Sequence, residues 1–360
     1  MNVNLQKLNS TDKPRIFNNP ERFVEGWYWV MPSQKLRVCE VKAITVLGRE
    51  LAIYRGQDKK VVIVDAYCPH MGAHLAEGKV EGNELRCFFH HWKFDDQGFC
   101  VEIPCVEQPI SLKLQTWPTA EKYGMIWVWT GEVPKQPVPF VLELENKECD
   151  VMLGDYFMIN CHPNTVMINP IDAQYFHTVH KLASEIQFQK QEINQNAIVF
   201  SNTIHIAKSS LFWRLMRRFS KSVTHNICYW YGSTNIVSIA SNFLHVHIMI
   251  AMRLLPGGKS EGQVILITPK RRGIFGWLYN RLMLRISSIL GKYFIEDDIK
   301  IFQTIKFDLK TPIKADLSIM QFVHHLERQK PLMLQTWRLA RSQNIIKEVR
   351  EKSYDSKCND

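Results

Sequence analysis

The 360-residue sequence lacks the features that mark several common classes of protein. It has no G-x-G-x-x-G fingerprint for a flavin or nicotinamide cofactor, no internal repeat and no low-complexity tract. Residues 1–19 contain no apolar core of a secretory signal. The longest uncharged stretch, 227–252, is broken by polar residues such as Asn235, Ser238 and His247, so it resembles sheet strands more than a membrane span.

Acidic residues are absent from two segments that are rich in basic ones. Segment 208–221 carries five Lys or Arg residues and segment 270–292 carries six, and neither contains Asp or Glu. Because the net charge of the whole chain is +10, the remaining residues are almost neutral in sum. A nucleic-acid-binding protein usually spreads its basic charge over a broad surface, so we expect no nucleic-acid partner.

A disulfide framework is also not indicated. The nine cysteines are an odd number and are scattered through a large chain. This usage is typical of a reducing compartment and predicts a cytoplasmic protein, with peripheral contact at a membrane surface left open.

The order of strand-like and helix-like segments predicts two domains. Residues from about 26 to 130 contain short β-branched runs separated by turns, and prolines 134, 137 and 139 then indicate a stiff linker. Further along the chain, strand-like runs alternate with helical ones. The sequence therefore predicts an all-β domain over residues 20–133 and an α+β domain over residues 134–350.

Two pairs of metal-ligand residues lie in the first of these domains. Cys68-Pro69-His70 is followed, after sixteen residues, by Cys87-Phe88-Phe89-His90. Two thiols and two imidazoles could bind a structural zinc ion, but these spacings differ from those of zinc fingers. They do suit a [2Fe–2S] centre in which two cysteines hold one iron and two histidines the other.

The flanking residues resemble those of one family. Segments 65–75 and 87–94 resemble the cluster loops of Rieske non-haem iron oxygenases, specifically their oxygenase (alpha) subunits. The resemblance implies that Cys68, His70, Cys87 and His90 hold the cluster. His91 stands where the family usually has Gly and is expected to be a neighbour of the cluster, while His74 is expected to pack the loop.

The resemblance also implies a helix-grip (START-like) α+β catalytic domain with a mononuclear Fe(II). In the family, an Asp is followed by histidines three and eight residues later, and here Asp172 and His180 match this pattern. Tyr175 stands where the first His belongs. We favour His177 as its replacement, because His177 and His180 are three residues apart and would lie on one helical face. The alternatives are that Tyr175 binds iron as a phenolate or that the site binds iron poorly.

A late carboxylate is implied as the third ligand of this 2-His-1-carboxylate iron site. The segment Glu296-Asp297-Asp298 resembles the family's late acidic motif, and its register favours Asp298, with Asp297 as the alternative. Asp172 is then not a ligand. In the family, such an Asp connects the Rieske histidine of a neighbouring subunit with an iron-bound His, which implies a homotrimer.

The group that these motifs resemble contains cholesterol 7-desaturases and 3-ketosteroid 9α-hydroxylases. The resemblance implies an oxidoreductase of the monooxygenase type that hydroxylates or desaturates a bulky lipophilic, sterol-like substrate with O₂. Electrons would come from NAD(P)H through a separate flavin reductase, a ferredoxin or both. The alternative is a Rieske electron-transfer or binding protein whose second domain is degenerate and poor in iron.

The two basic segments also have apolar residues at helical spacing. In segment 274–290 these apolar residues are Phe275, Leu278, Tyr279, Leu282, Ile286 and Ile289, and segment 208–221 has a similar pattern. Such helices can cap a core with their charges in water, lie on an anionic membrane or bind an acidic ferredoxin. We expect at least one of them to serve substrate entry or docking of a redox partner.

Overall fold

A computed structural model describes residues 15–178, 186–205, 222–240 and 245–339 of the chain. In these ranges, the first domain consists of short strands and 3₁₀ turns. Its twelve strands are β1 Arg22–Val24, β2 Trp27–Pro32, β3 Val41–Val46, β4 Arg49–Arg55, β5 Val61–Asp65, β6 Lys79–Glu81, β7 Glu84–Arg86, β8 Lys93–Phe94, β9 Cys100–Glu102, β10 Thr116–Trp117, β11 Thr119–Lys122 and β12 Met125–Trp129.

Three small antiparallel sheets build this domain. Their strand orders are β10-β5-β4-β3, β11-β12-β2 and β6-β7-β8-β9. A turn at Leu47 and Gly48 joins β3 to β4, and both residues have the positive φ that a tight hairpin requires. This arrangement confirms the prediction of an all-β first domain.

The second domain is an antiparallel sheet packed against helices. Its strands, together with one that returns to the first domain, are β13 Cys149–Ile159, β14 Gln189–Asn194, β15 Ala197–His205, β16 Ser222–Trp230, β17 Thr234–Ala240, β18 His245–Leu254, β19 Ser260–Pro269 and β20 Pro331–Met333. The described helices are α1 Pro163–Met167, α2 Ala173–Thr178, α3 Gly273–Thr304, α4 Leu317–Glu327 and α5 Leu334–Leu339.

Seven strands form the sheet, in the order β13-β19-β18-β17-β16-β15-β14. The long helix α3 packs on one face of this sheet, where Leu284 contacts Val264 and Leu266. Asn280 fixes the same helix, because its side-chain amide donates to Asp150 Oδ2 at 2.7 Å and to the carbonyl of Pro269 at 2.8 Å. A seven-stranded antiparallel sheet with one long helix packed on it confirms the predicted α+β architecture.

The proline-rich segment crosses the opposite face of this sheet. Trp230 Nε1 donates to the carbonyl of Phe140 at 3.3 Å, and the Tyr231 hydroxyl donates to the carbonyl of Pro137 at 2.8 Å. Trp129 of the first domain packs edge-on against Tyr231, with ring centroids 5.7 Å apart. One continuous hydrophobic core therefore joins both domains.

The end of the described chain returns to the first domain. Strand β20 pairs with β1, and Leu334 and Trp337 enter the core that contains Phe23 and Trp117. Residues 331–339 thus pack on the first domain although they come after the second one in sequence. None of the described helices is long and apolar enough to span a bilayer, and the described cysteines are all free thiols.

Candidate metal centre

Two loops with the same hydrogen-bond pattern carry the four predicted cluster ligands. In the loop after β5, the N–H of Cys68 donates to the carbonyl of Ala73 at 2.8 Å and the N–H of Gly72 to the carbonyl of Cys68 at 2.9 Å. In the loop between β7 and β8, the N–H of Cys87 donates to the carbonyl of Trp92 at 2.9 Å and the N–H of His91 to the carbonyl of Cys87 at 3.1 Å. The two ligand pairs are therefore presented by equivalent turns.

These turns place the thiols inside and the imidazoles outside. Cys68 and Cys87 are buried in one hydrophobic cluster with Leu85 and Phe94, whereas His70 and His90 are exposed. The two imidazole rings lie side by side, with centroids 4.7 Å apart. Each loop thus contributes one ligand to a buried thiol pair and one to an exposed imidazole pair.

The electrostatics of the thiol pair favour a metal centre. The pKa of the Cys68 thiol is raised to about 12, chiefly by burial; the adjacent Cys87 thiol contributes to the rise, and the backbone N–H groups of His70 and Met71 oppose it. Ionising such a buried thiol is costly without a nearby positive charge. A bound iron would supply that charge, and the N–H groups of His70 and Met71 would help to stabilise the thiolate.

The grouping into pairs fits a two-iron cluster better than a single ion. Among the described residues, no three His, Cys, Asp or Glu side chains are grouped so as to hold one metal ion. A zinc site would require four ligands around one point, whereas a [2Fe–2S] centre with two Cys and two His requires two adjacent pairs. The residues present therefore fit the [2Fe–2S] group.

Three further residues of the two loops, Trp92, His91 and His74, have defined contacts. The indole ring of Trp92 is stacked on His70, with centroids 4.3 Å apart and the planes 8° from parallel. His91 has a left-handed backbone with φ 62°, and its Nδ1 lies 2.8 Å from a guanidinium nitrogen of Arg86. His74, expected to pack the loop, does so: its Nδ1 accepts from the N–H of Ala76.

The family comparison identifies this domain. The profile of the Rieske [2Fe-2S] domain family matches residues 26–118, which contain both loops. Residues 26–118 form a Rieske [2Fe–2S] domain. The matched range contains all four predicted cluster ligands, Cys68, His70, Cys87 and His90.

Proteins with related sequences match the chain over less than half of its length. The chain is 34% identical over 164 residues to cholesterol 7-desaturase nvd of Bombyx mori; the match covers 45% of this chain and 36% of that protein. It is 31% identical over 168 residues to a probable 3-ketosteroid-9-alpha-monooxygenase oxygenase component of Rhodococcus rhodochrous; this match covers 45% of this chain and 42% of that protein. The matches also span less than half the length of these curated relatives.

Solved structures show the fold of nearly the whole chain. Dicamba monooxygenase bound to dicamba superposes with a TM-score of 0.61 at 18% identity, covering 88% of this chain and 98% of that chain. A second structure of that enzyme, with non-heme iron and dicamba, gives a TM-score of 0.59. The chain therefore shares the fold of that protein over most of its length.

In the second domain, Asp172 is placed at the start of helix α2. Its Oδ1 accepts from the N–H groups of Gln174 and Tyr175, both at 3.0 Å, which makes it the N-cap of the helix. Burial raises the pKa of the Asp172 carboxyl, and the nearby carboxylate of Asp316 raises it further. Gln174 donates to Asp316 Oδ1 at 2.8 Å, so the start of α2 is tied to the start of α4.

The other predicted iron-site residues are described only in part. Tyr175 is buried on α2, and His177 lies two residues later on the same helix, with its side chain outside the described parts. Because successive helical residues are about 100° apart, positions 175 and 177 lie on opposite sides of α2. His180 lies outside the described residues, and Asp297 and Asp298 lie on α3 with side chains that are likewise not described.

Sequence reasoning gave no separate role to two residues of the site. Trp92 was part of the cluster motif, but only the fold shows that its ring stacks on His70. Asp316, a single acid in an otherwise ordinary segment, carried no signal because it meets Gln174 only through tertiary packing.

Proposed function

We propose that this chain is the terminal oxygenase of a Rieske non-haem iron system. The observation that carries the proposal is the covalent union of a Rieske domain with a seven-stranded sheet-and-helix domain, in the fold of dicamba monooxygenase. A Rieske centre alone transfers one electron at a time, and the second domain provides the place where those electrons would be used.

In this proposal, His177, His180 and Asp298 hold a mononuclear Fe(II), with Asp297 as the alternative carboxylate. When bound, such an iron supplies open coordination positions at which O₂ is activated. Asp172 connects this iron site with the Rieske histidine of a neighbouring subunit, so the active assembly is a homotrimer. The placement of Asp172 at the N-terminus of the helix that carries His177 supports this connecting role.

The proposed substrate is bulky and lipophilic, and sterol-like compounds of steroid metabolism are the first to test. This choice is supported by the similarity to a cholesterol 7-desaturase and to a 3-ketosteroid monooxygenase component. The chain would hydroxylate or desaturate this substrate. The proposed partners are a flavin reductase and a ferredoxin that deliver electrons from NAD(P)H, in a cytoplasmic setting with peripheral membrane contact.

Iron content and turnover test the proposal. After anaerobic purification we expect about three iron atoms per chain, two in the cluster and one in the second domain. Oxygen uptake coupled to NADH oxidation, screened over sterol-like substrates with product analysis, should then give an oxygenated or desaturated product. Product analysis is essential because uncoupled oxygen uptake would imitate turnover.

One observation favours a second candidate, an electron-transfer or binding protein with an iron-poor second domain. Tyr175 occupies the register of a family iron ligand, and His177 lies on the other side of helix α2. About two iron atoms per chain, together with reversible cluster reduction and no product, would support this carrier and contradict the oxygenase.

A further inference from the structure

The first half of helix α3 presents an apolar face directly away from the protein. Asn280 and Leu284 define the inward face, because both are buried against the sheet. At about 100° per residue, positions 275, 278, 282 and 289 lie on the opposite side of the helix axis. A surface helix of a globular protein normally carries polar residues there.

Exposure confirms that nothing among the described residues covers this side. Phe275 is 83% exposed and Ile289 is 68% exposed. We call this surface the outer α3 stripe; its exposed apolar members are Ile274, Phe275, Leu278, Leu282, Ile286, Ile289 and Leu290. From position 275 to position 289 the stripe is about 21 Å long, at 1.5 Å per residue.

The charges along the stripe have one sign. Arg271 and Arg272 lie just before the helix, and Arg281 and Arg285 lie along the edge of the stripe, with no acid between residues 270 and 292. Two of the arginines pack over aromatic rings, with Arg271 4.2 Å from the centroid of Tyr279 and Arg281 5.2 Å from that of Trp277. Aromatic rings next to basic groups are typical of segments at a lipid–water boundary.

We propose that the outer α3 stripe docks the protein on an anionic lipid bilayer. The apolar side chains would enter the acyl region while the arginines contact lipid phosphates, which attract basic residues close to the surface. The proposal rests on the helix itself and not on the proposed oxygenase activity. It adds a route for a lipophilic substrate, because such a substrate is concentrated in the membrane that the stripe contacts.

Charge complementarity favours a bilayer over a symmetric contact between the outer α3 stripes of two copies. A symmetric contact between two outer α3 stripes would bring Arg281 and Arg285 close to the same residues of the other copy, and such like charges repel. An acidic soluble protein would satisfy the arginines but gives no reason for a bare apolar row along the centre of the stripe. An anionic bilayer satisfies both features.

Vesicle flotation with the purified full-length chain tests the proposal. The vesicles contain either phosphatidylcholine alone or phosphatidylcholine with phosphatidylglycerol. We expect binding to the anionic vesicles that decreases as salt is raised. The double variant Arg281→Glu/Arg285→Glu and the double variant Leu278→Ser/Ile289→Ser should each lower the fraction bound at least tenfold.

Two matched controls separate the stripe from general surface effects. Val133→Ser removes an apolar residue with 70% exposure outside the stripe, and Lys310→Glu reverses a charge that lies beyond α3. Both should bind like the unmodified protein. Cluster absorbance and circular dichroism check that every variant is folded, and vesicle binding does not depend on iron content or turnover.

Several results would overturn the proposal. These are no binding to either vesicle, or unchanged binding of both stripe variants. Loss of binding in Arg217→Glu/Arg218→Glu would then assign the membrane contact to the other basic segment. A change of oligomeric mass in Leu278→Ser/Ile289→Ser with intact vesicle binding would instead make the stripe a contact between copies. Loss of reductase-supported turnover in Arg281→Glu/Arg285→Glu, again with intact vesicle binding, would make it a docking site for a soluble redox protein.

Discussion

At the scale of single residues, His91 is held in a conformation that usually belongs to glycine. The equivalent position in the first cluster loop is Gly72, with φ 74°, whereas His91 has φ 62°. A left-handed conformation costs an L-residue about 1–2 kcal/mol, and glycine loses part of that advantage through its greater freedom in the unfolded chain. His91→Gly should therefore raise the free energy of unfolding by about 0.5–1 kcal/mol, measured by denaturant titration.

The variant His91→Ala is the control for this prediction. It also removes the contact with Arg86 but keeps the β-carbon that causes the strain. If the alanine variant is as stable as the glycine variant, backbone strain at His91 does not explain the gain.

Asp172 has two roles that substitution can separate. It caps α2 through Oδ1, and in the proposed mechanism its carboxylate connects two metal centres. Asp172→Asn keeps an N-cap of similar strength and removes the charge, whereas Asp172→Ala removes both and should lower stability by about 1 kcal/mol. We expect the asparagine variant to fold normally and to transfer electrons from the cluster much more slowly, measured by single-turnover reoxidation; a normal rate would leave Asp172 as a cap only.

Single substitutions can also decide whether His177 or Tyr175 is the iron ligand. His177→Ala should reduce the iron content from about three to about two atoms per chain while leaving the absorption of the cluster unchanged. Tyr175→Phe, which retains the ring and removes the phenol, should keep all the iron. If instead Tyr175→Phe loses the third iron atom and His177→Ala keeps it, Tyr175 is the ligand and the assignment of His177 is wrong.

At the scale of elements, one buried tryptophan of the returning segment 331–339 makes several contacts with the first domain. Trp337 packs edge-on against Phe23 and Trp117, donates from Nε1 to the carbonyl of Val46 at 3.0 Å, and lies 5.3 Å from the Arg49 guanidinium. Removing a buried aromatic ring costs about 3–5 kcal/mol. Trp337→Ala should therefore lower the free energy of unfolding of the chain by about that amount.

Urea unfolding followed by far-ultraviolet circular dichroism and by cluster absorbance measures this loss. The exposed neighbour Thr336 provides the control, because its hydroxyl only bonds the carbonyl of Met333 nearby. A loss in Trp337→Ala no greater than that in Thr336→Ala would show that the segment is not needed to stabilise the first domain.

The same elements show what the sequence could and could not predict. The cluster loops were recognisable because ligand type and spacing are local, and the strands near 41–55 and 222–254 because alternation and turns are local. The pairing of β1 with β20 joins residues about 300 positions apart, and no local pattern encodes it. For α3, periodicity found the apolar stripe but could not tell that Asn280 and Leu284, and not the stripe, face the sheet.

At the scale of the whole molecule, we expect three buried histidines to make the second domain less stable in acid. His162, His247 and His325 are almost completely buried, and burial lowers the pKa of each imidazole to about 4. In the unfolded chain the same groups titrate near their usual value of about 6.5. As the pH falls below about 6.5, the unfolded state takes up protons that the folded state does not bind, so stability decreases.

The pH range of this loss is set by the imidazole pKa of about 4 in the folded state and about 6.5 in the unfolded chain. The contribution of these histidines is complete above about pH 6.5 and decreases as the pH falls to about 4, by up to about 1.4 kcal/mol per pH unit for each group. Carboxylates with lowered pKa values affect stability at lower pH. The pKa of Glu192 is lowered to about 2, chiefly by its hydrogen bond with Arg328, so its contribution to stability is lost as the pH falls below about 4.5. The range between pH 6.5 and 4.5 therefore reports mainly on the histidines.

Urea denaturation at pH 7 and pH 5 tests the prediction directly. The unmodified chain should be clearly less stable at pH 5, whereas His247→Gln should show a smaller difference between the two pH values because one buried group no longer titrates. His247 suits this test because its Nδ1 is bonded to Ser238 Oγ at 2.8 Å, an interaction that the glutamine amide can replace. Equal stability at pH 7 and pH 5, or an unchanged difference in His247→Gln, would mean that protonation of the buried imidazoles does not control the acid sensitivity of this fold.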